Sequence, residues 1–335
     1  MNRNSLEDFR EQAAALKMPA GMQQAIEKQM EKNLETIAVT AKLPSHKGHL
    51  EVTAHLKRGA GDSEYYFFNK YDLAYNNKVK PLGNDYQYAV RTDVKDGVVL
   101  EKPLLRRFDS PIAAIDFFNK QKGNSELFTG KVSENGKLTG GQSLATMNDG
   151  KVDYVTRDFQ GAYRNTVVKN TVYVNKGVGF NMTQSSNMLQ GGAAHRDDLV
   201  SRAGEQYQAW NVYKFDEPRD KYGNLLVKQY GEGYPFNLEI ELSNYRIKEL
   251  DSPEKFNAIV VAMKDGERPV VTALTETGEQ KKLQMEAAPR FGNLNFFSMD
   301  YRPVNREQFQ KVVKQGKDIS AGKEKGASQS QEMTM

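Results

Sequence analysis

The hydrophobic period of the chain changes abruptly near Thr36, and that switch constrains the fold more than any other feature. Upstream, Leu6, Phe9, Ala13 and Leu16, then Met22, Ile26 and Met30, recur at the 3.6-residue spacing of amphipathic helices, with Pro19 and Gly21 interrupting between them. Ser5-Leu6-Glu7-Asp8 has the form of a capping box that starts the first helix. Downstream, Ile37, Val39 and Ala41, then Leu50, Val52, Ala54 and Leu56, alternate with polar neighbours as half-buried strands do. The aromatic run from Tyr65 to Tyr71 reads as a third strand packed on both faces. These patterns predict a helical hairpin over 1–35 feeding an antiparallel meander over 36–77, and so an α+β chain.

The stretch 78–169 carries fewer signals. Ser110-Pro111 opens a short helix through Ile112, Ile115 and Phe118 among glycine-rich turns, and the whole reads as an inserted α+β region. Residues 170–315 read as the C-terminal α+β part of the core. Strands are expected at Thr171–Val174, Trp210–Phe215, Val270–Leu274, Leu283–Met285 and Leu294–Phe297, and short packing helices at Thr183–Leu189, after Ser252-Pro253 and over Asn305–Val313. The polar stretch 316–335 lacks large apolar groups to offset the entropy of ordering and reads as a disordered tail.

Composition narrows the chemistry. With no cysteine, disulfides, thiolate catalysis and the common zinc-finger ligand sets are excluded, which fits a reducing, cytoplasmic setting. The amino terminus lacks the pattern of a secretory signal, and no apolar run approaches the ~18–20 residues of a membrane span, so no membrane partner is expected. The net charge of +4 from 47 basic and 43 acidic residues permits nucleic-acid binding without arguing for it.

No motif assembles a convincing catalytic centre, and none implies a cofactor. His49, Glu51, Thr53 and His55 share one strand face, but the two imidazoles are separated by about 20 Å of extended chain, too far to converge on one metal, so a solvated face is the plainer reading. His195-Arg196-Asp197 and Val261-Ala262-Met263-Lys264 echo kinase motifs in the wrong order, and Gly141-Gln142-Ser143-Leu144-Ala145 approximates a nucleophile elbow without its last glycine. Lys176-Gly177-Val178-Gly179-Phe180 matches half of a ribonucleoprotein strand signature. Basic clusters at Arg106-Arg107, Lys78 with Lys80, and Lys281-Lys282 would track a phosphate backbone if the fold gathered them. The candidate binding residues are therefore Arg106, Arg107, Lys176, Phe180, Lys281 and Lys282.

Several segments resemble an uncharacterised family of Bacteroidota proteins associated with conjugative and other mobile elements. They are Tyr66-Phe67-Phe68-Asn69-Lys70-Tyr71, Tyr173-Val174-Asn175-Lys176-Gly177, Val227-Lys228-Gln229-Tyr230 through Tyr234-Pro235-Phe236-Asn237-Leu238, Leu250-Asp251-Ser252-Pro253-Glu254-Lys255, and Glu286-Ala287-Ala288-Pro289-Arg290-Phe291. In that family a short polar turn joins the first two pieces, where this chain has about ninety residues, which implies that 78–169 elaborates a core built from the rest. The resemblance supplies no catalytic residue. It points to a non-enzymatic accessory protein of mobile-element biology that binds nucleic acid or a protein partner. The rivals are a metal-dependent nuclease or other hydrolase using Asp216, Glu239 and Glu241, and an inhibitor or immunity-type protein that binds one host factor.

Overall fold

The computed structural model describes residues 2–311 except 62, 96 and 97, so the expected tail at 316–335 lies outside the described residues. The chain is α+β, with every paired strand antiparallel. Helix α1 (Arg3–Ala15) and helix α2 (Ala20–Glu31) form the expected hairpin, clamped by Arg10, whose Nε and Nη2 donate to the Glu27 carboxylate at 3.0 and 2.8 Å. The cap differs from expectation. Asn2 caps α1 by accepting from the Asn4 amide, whereas Ser5 lies inside the helix, buried, and its Oγ accepts from the Tyr66 amide at 2.9 Å. A hydroxyl expected to stop the helix from fraying instead ties it to a strand.

Strands β1 (Thr36–Leu43), β2 (His49–Arg58) and β3 (Tyr66–Asn76) make the meander, and Phe9, Leu16, Ile26 and Met30 of the hairpin bury against Leu50, Val52, Phe68 and Leu73. β3 is not packed on both faces. His55 faces Lys70 while Leu56 faces Phe68, so Asn69 is an extra residue. That bulge shifts the buried set from Tyr66 and Phe68 to Tyr71 and Leu73, and leaves Phe67 49% exposed.

After β3 the chain builds β4 (Tyr86–Lys95), β5 (Val98–Phe108), α3 (Pro111–Asn119), β6 (Ser125–Val132), β7 (Leu138–Asn148), β8 (Lys151–Val155) and α4 (Arg157–Arg164). The five strands form their own sheet in the order β5-β4-β6-β7-β8, with a separate buried cluster around Val90, Phe118, Leu127 and Phe159. The chain then returns as β9 (Val168–Tyr173) to pair with β3, Tyr75 opposite Val168, and completes a four-stranded sheet in the order β1-β2-β3-β9.

Helix α5 (Met182–Leu189) leads into β10 (Ala194–Val200), β11 (Gln206–Lys214) and β12 (Leu226–Gly231), a three-stranded sheet. β11 joins two cores through its opposite faces, since Tyr213 packs with the hairpin cluster while Trp210 packs with Tyr230, Leu238 and Met263. Helix α6 (Leu238–Ser243) and helix α7 (Pro253–Lys264) follow, and then β13 (Val270–Leu274), β14 (Gln280–Ala288), β15 (Asn293–Phe297) and the two-residue β16 (Pro303–Val304). The helix expected over Asn305–Val313 is, in its described part, only a 3-10 turn at Glu307–Phe309. Phe309 is fully buried against Phe296, so packing of one ring, rather than a helical stripe, holds this segment. No described helix is long and apolar enough to cross a membrane.

Candidate functional site

A concavity of about 880 Å³ opens where β10–β12 meets α6. Three local features build it. β11 and β12 pair Trp210 with Tyr230 across the sheet, which sets two large rings side by side on one face. The chain then turns through Gly231 to Tyr234, whose amide donates to the Gly231 carbonyl at 2.9 Å, and this brings Tyr234 back over Tyr230 with ring centroids 4.7 Å apart. Asn237 ends the turn by capping α6, its Oδ1 accepting from the Ile240 amide at 2.9 Å, and so delivers Glu239 and Glu241 to the rim.

The floor is aromatic. Trp210 lies edge-on between His195, at 5.2 Å, and Phe236, at 5.5 Å, and both Trp210 and Tyr230 are almost wholly buried. The Tyr234 hydroxyl donates to the Arg290 carbonyl at 2.8 Å, but the Tyr230 hydroxyl is buried with no hydrogen-bond partner among the described residues. Lys228 Nζ lies 5.1 Å from the Tyr230 ring but does not line the cleft.

The rim is acidic. Glu232, Glu239 and Glu241 line the cleft against one cation, Lys264, whose Nζ is 3.3 Å from Glu239 Oε1. Glu232 accepts from Gln208 Nε2 at 2.6 Å, while the Glu241 side chain has neither hydrogen bond nor ion pair among the described residues. Burial, assisted by the Lys264 charge, lowers the His195 pKa below its ordinary value, so the ring is neutral at pH 7. The lining therefore carries an excess of negative charge over rings packed edge to face, an arrangement that attracts cations and repels phosphate.

No protein-family model, no curated protein and no solved structure matches this chain.

The six residues singled out in the sequence lie on separate parts of the fold, and none lines this cleft. Arg106 and Arg107 are on β5, the exposed edge of the five-stranded sheet, where the Arg106 guanidinium sits 4.8 Å from the Phe117 centroid. Lys176 is in a left-handed turn after β9, and Phe180 lies beneath the Arg196 guanidinium at 5.2 Å, so this segment is a turn rather than the exposed strand that a base-stacking platform requires. Lys281 and Lys282 are on β14, with Lys281 Nζ 3.7 Å from Glu279.

The motif echoes also resolve into local structure. Arg196 grips Asp198 through Nε and Nη2 at 2.8 and 2.7 Å, Lys264 lies on a helix rather than a strand, and Ser143 is within β7 rather than at a strand-to-helix turn. The face of β2 is less solvated than expected. His49 is buried with its Nε2 3.0 Å from Glu51, while His55 Nε2 lies 2.7 Å from Asp72 Oδ2, whose other oxygen accepts from Thr171 at 2.6 Å. Each imidazole thus has its own carboxylate, and no group of three or more metal-ligating side chains forms among the described residues. Of the three acidic residues of the hydrolase reading, Glu239 and Glu241 reach the cleft and Asp216 does not. Sequence reasoning missed the rings, although a signal was present: Trp210 is the chain's single tryptophan, and Tyr234-Pro235-Phe236 lies just upstream of Glu239 and Glu241.

Proposed function

We propose that this is a binding protein whose aromatic, acidic cleft takes a basic segment of a partner polypeptide. The observation that carries the reading is the lining itself: five rings beneath three carboxylates and a single lysine. A basic side chain placed there meets π faces below and carboxylates at the rim, whereas a nucleic acid brings its phosphates against fixed negative charge. The reading stays with a non-enzymatic accessory role, in a cytoplasmic setting and in mobile-element biology, and takes a polypeptide rather than nucleic acid as the partner. A hydrolase is the second reading, favoured by the presence of Glu239 and Glu241 in the same cleft.

Because Trp210 is the only tryptophan, its fluorescence reports on the cleft without labelling. Titration of the full chain with a basic decapeptide, its acidic counterpart and a single-stranded oligonucleotide, over a salt series, tests the reading. The basic peptide is expected to change the emission at low salt, with an affinity that salt and Glu241→Gln both weaken. No response to it, or an equal response to the acidic peptide, overturns the proposal, and a response to the oligonucleotide alone transfers the site to nucleic acid. Cleavage of the peptide that disappears in Glu239→Gln moves the assignment to a hydrolase.

A further inference from the structure

We propose that the group this cleft is built to hold is an arginine guanidinium, with the Tyr230 hydroxyl as one of its acceptors; this rests on the reading that the cleft binds a basic polypeptide. Two hydrogen-bonded examples of the occupied form lie elsewhere in the fold. Arg268 donates through Nε to Glu286 at 2.6 Å while its guanidinium carbon sits 4.1 Å from the Phe297 centroid. Arg196 grips Asp198 through two nitrogens and covers Phe180 at 5.2 Å. In each case the guanidinium lies over a ring while its nitrogens donate to a carboxylate, as its planar, weakly hydrated geometry favours. The cleft holds the ring and carboxylate halves of the same arrangement with no guanidinium, and Lys264 is the only cation lining it among the described residues.

Tyr230 distinguishes among cations. Its hydroxyl is buried without a hydrogen-bond partner among the described residues, which costs free energy until a ligand supplies one. A quaternary ammonium has no N–H to offer. A lysine ammonium is compact and strongly hydrated, and gives up more solvation to reach a buried acceptor than a guanidinium does. A guanidinium has five donors in a fixed fork, enough to reach a phenol oxygen and a rim carboxylate together while its face rests on a ring.

The test compares glycine-spaced decapeptides carrying three arginines or three lysines, read by Trp210 emission on the full chain and on Tyr230→Phe. Wild type is expected to bind the arginine peptide about tenfold more tightly than the lysine peptide, and Tyr230→Phe to lose most of that preference. A thermal melt of the free variant, expected to be no less stable than wild type, separates lost recognition from lost folding. Equal affinities in wild type overturn the guanidinium assignment and leave the parent reading standing. An arginine preference that survives Tyr230→Phe overturns the role of the hydroxyl, and binding of neither peptide overturns the parent reading itself.

Discussion

Glu286→Gln isolates the energetics of the most enclosed ion pair in the C-terminal core. Arg268 and Glu286 are 12% and 10% exposed and 2.6 Å apart, and the second Glu286 oxygen accepts from Asn295 Nδ2 at 3.0 Å. The substitution keeps the shape, but it turns one of the two accepting oxygens into an NH2 donor and removes the charge that compensates the Arg268 guanidinium. Breaking one side of such a pair costs about 3–5 kcal/mol, a large part of the ~5–15 kcal/mol of a typical protein. Replacing both partners with apolar groups, as in Arg268→Met with Glu286→Leu, removes the uncompensated charge and is expected to recover most of the loss. Urea unfolding followed by Trp210 emission measures both, since Trp210 belongs to the same buried cluster as Met285 on β14. A Glu286→Gln protein within about 1 kcal/mol of wild type refutes the reasoning, because it means that water already solvates the guanidinium.

Two further outcomes are expected. Ser5→Ala strands the buried Tyr66 amide and is expected to cost about 1–3 kcal/mol in thermal or chemical denaturation, where an exposed cap serine would cost only ~1. His46, partly buried beside the Tyr301 ring in a cavity it shares with Lys17, Glu267 and Arg268, has its pKa lowered to about 4 by burial and by the Arg268 charge. The neutral ring is therefore the folded form. The stability it contributes is complete above its ordinary 6.5 and falls as pH drops toward 4. The expected loss is about 1–2 kcal/mol, discounted for a ring partly open to solvent. Unfolding midpoints of wild type and His46→Phe between pH 7 and pH 4 check this, and parallel pH profiles count against it.

Much of the scaffold was legible because one periodicity governed each element. Met22, Ile26 and Met30 sit where their spacing puts them, as do Leu50, Val52 and Ala54. The failures have local causes. The bulge at Asn69 breaks the alternation that a strand reading relies on, and Ser5 serves a strand sixty residues away that no local cap rule can anticipate. β5 and β12 are exposed along nearly their whole length, so neither carries the apolar alternation by which strands are recognised. The cleft was hidden for another reason. Its rings and carboxylates come from β10, β11, β12, the following turn and α6, and become neighbours only when the sheet pairs Trp210 with Tyr230.

The pairing of β3 with β9 has a consequence for how the chain can change length. Tyr75 and Val168 face one another across the ladder, so the residues from 77 to 167 leave and rejoin the sheet at a single doorway. Widening a turn of about four residues into one of about ninety costs only ~3 kcal/mol of closure entropy, because the penalty grows with the logarithm of loop length. A segment with its own sheet and its own buried cluster thus joins the rest at one ladder end, where the buried Asn76 Nδ2 also donates to the Ala162 carbonyl at 2.9 Å, so shortening it to a tight turn is expected to strand that amide even where the rungs between β3 and β9 are kept.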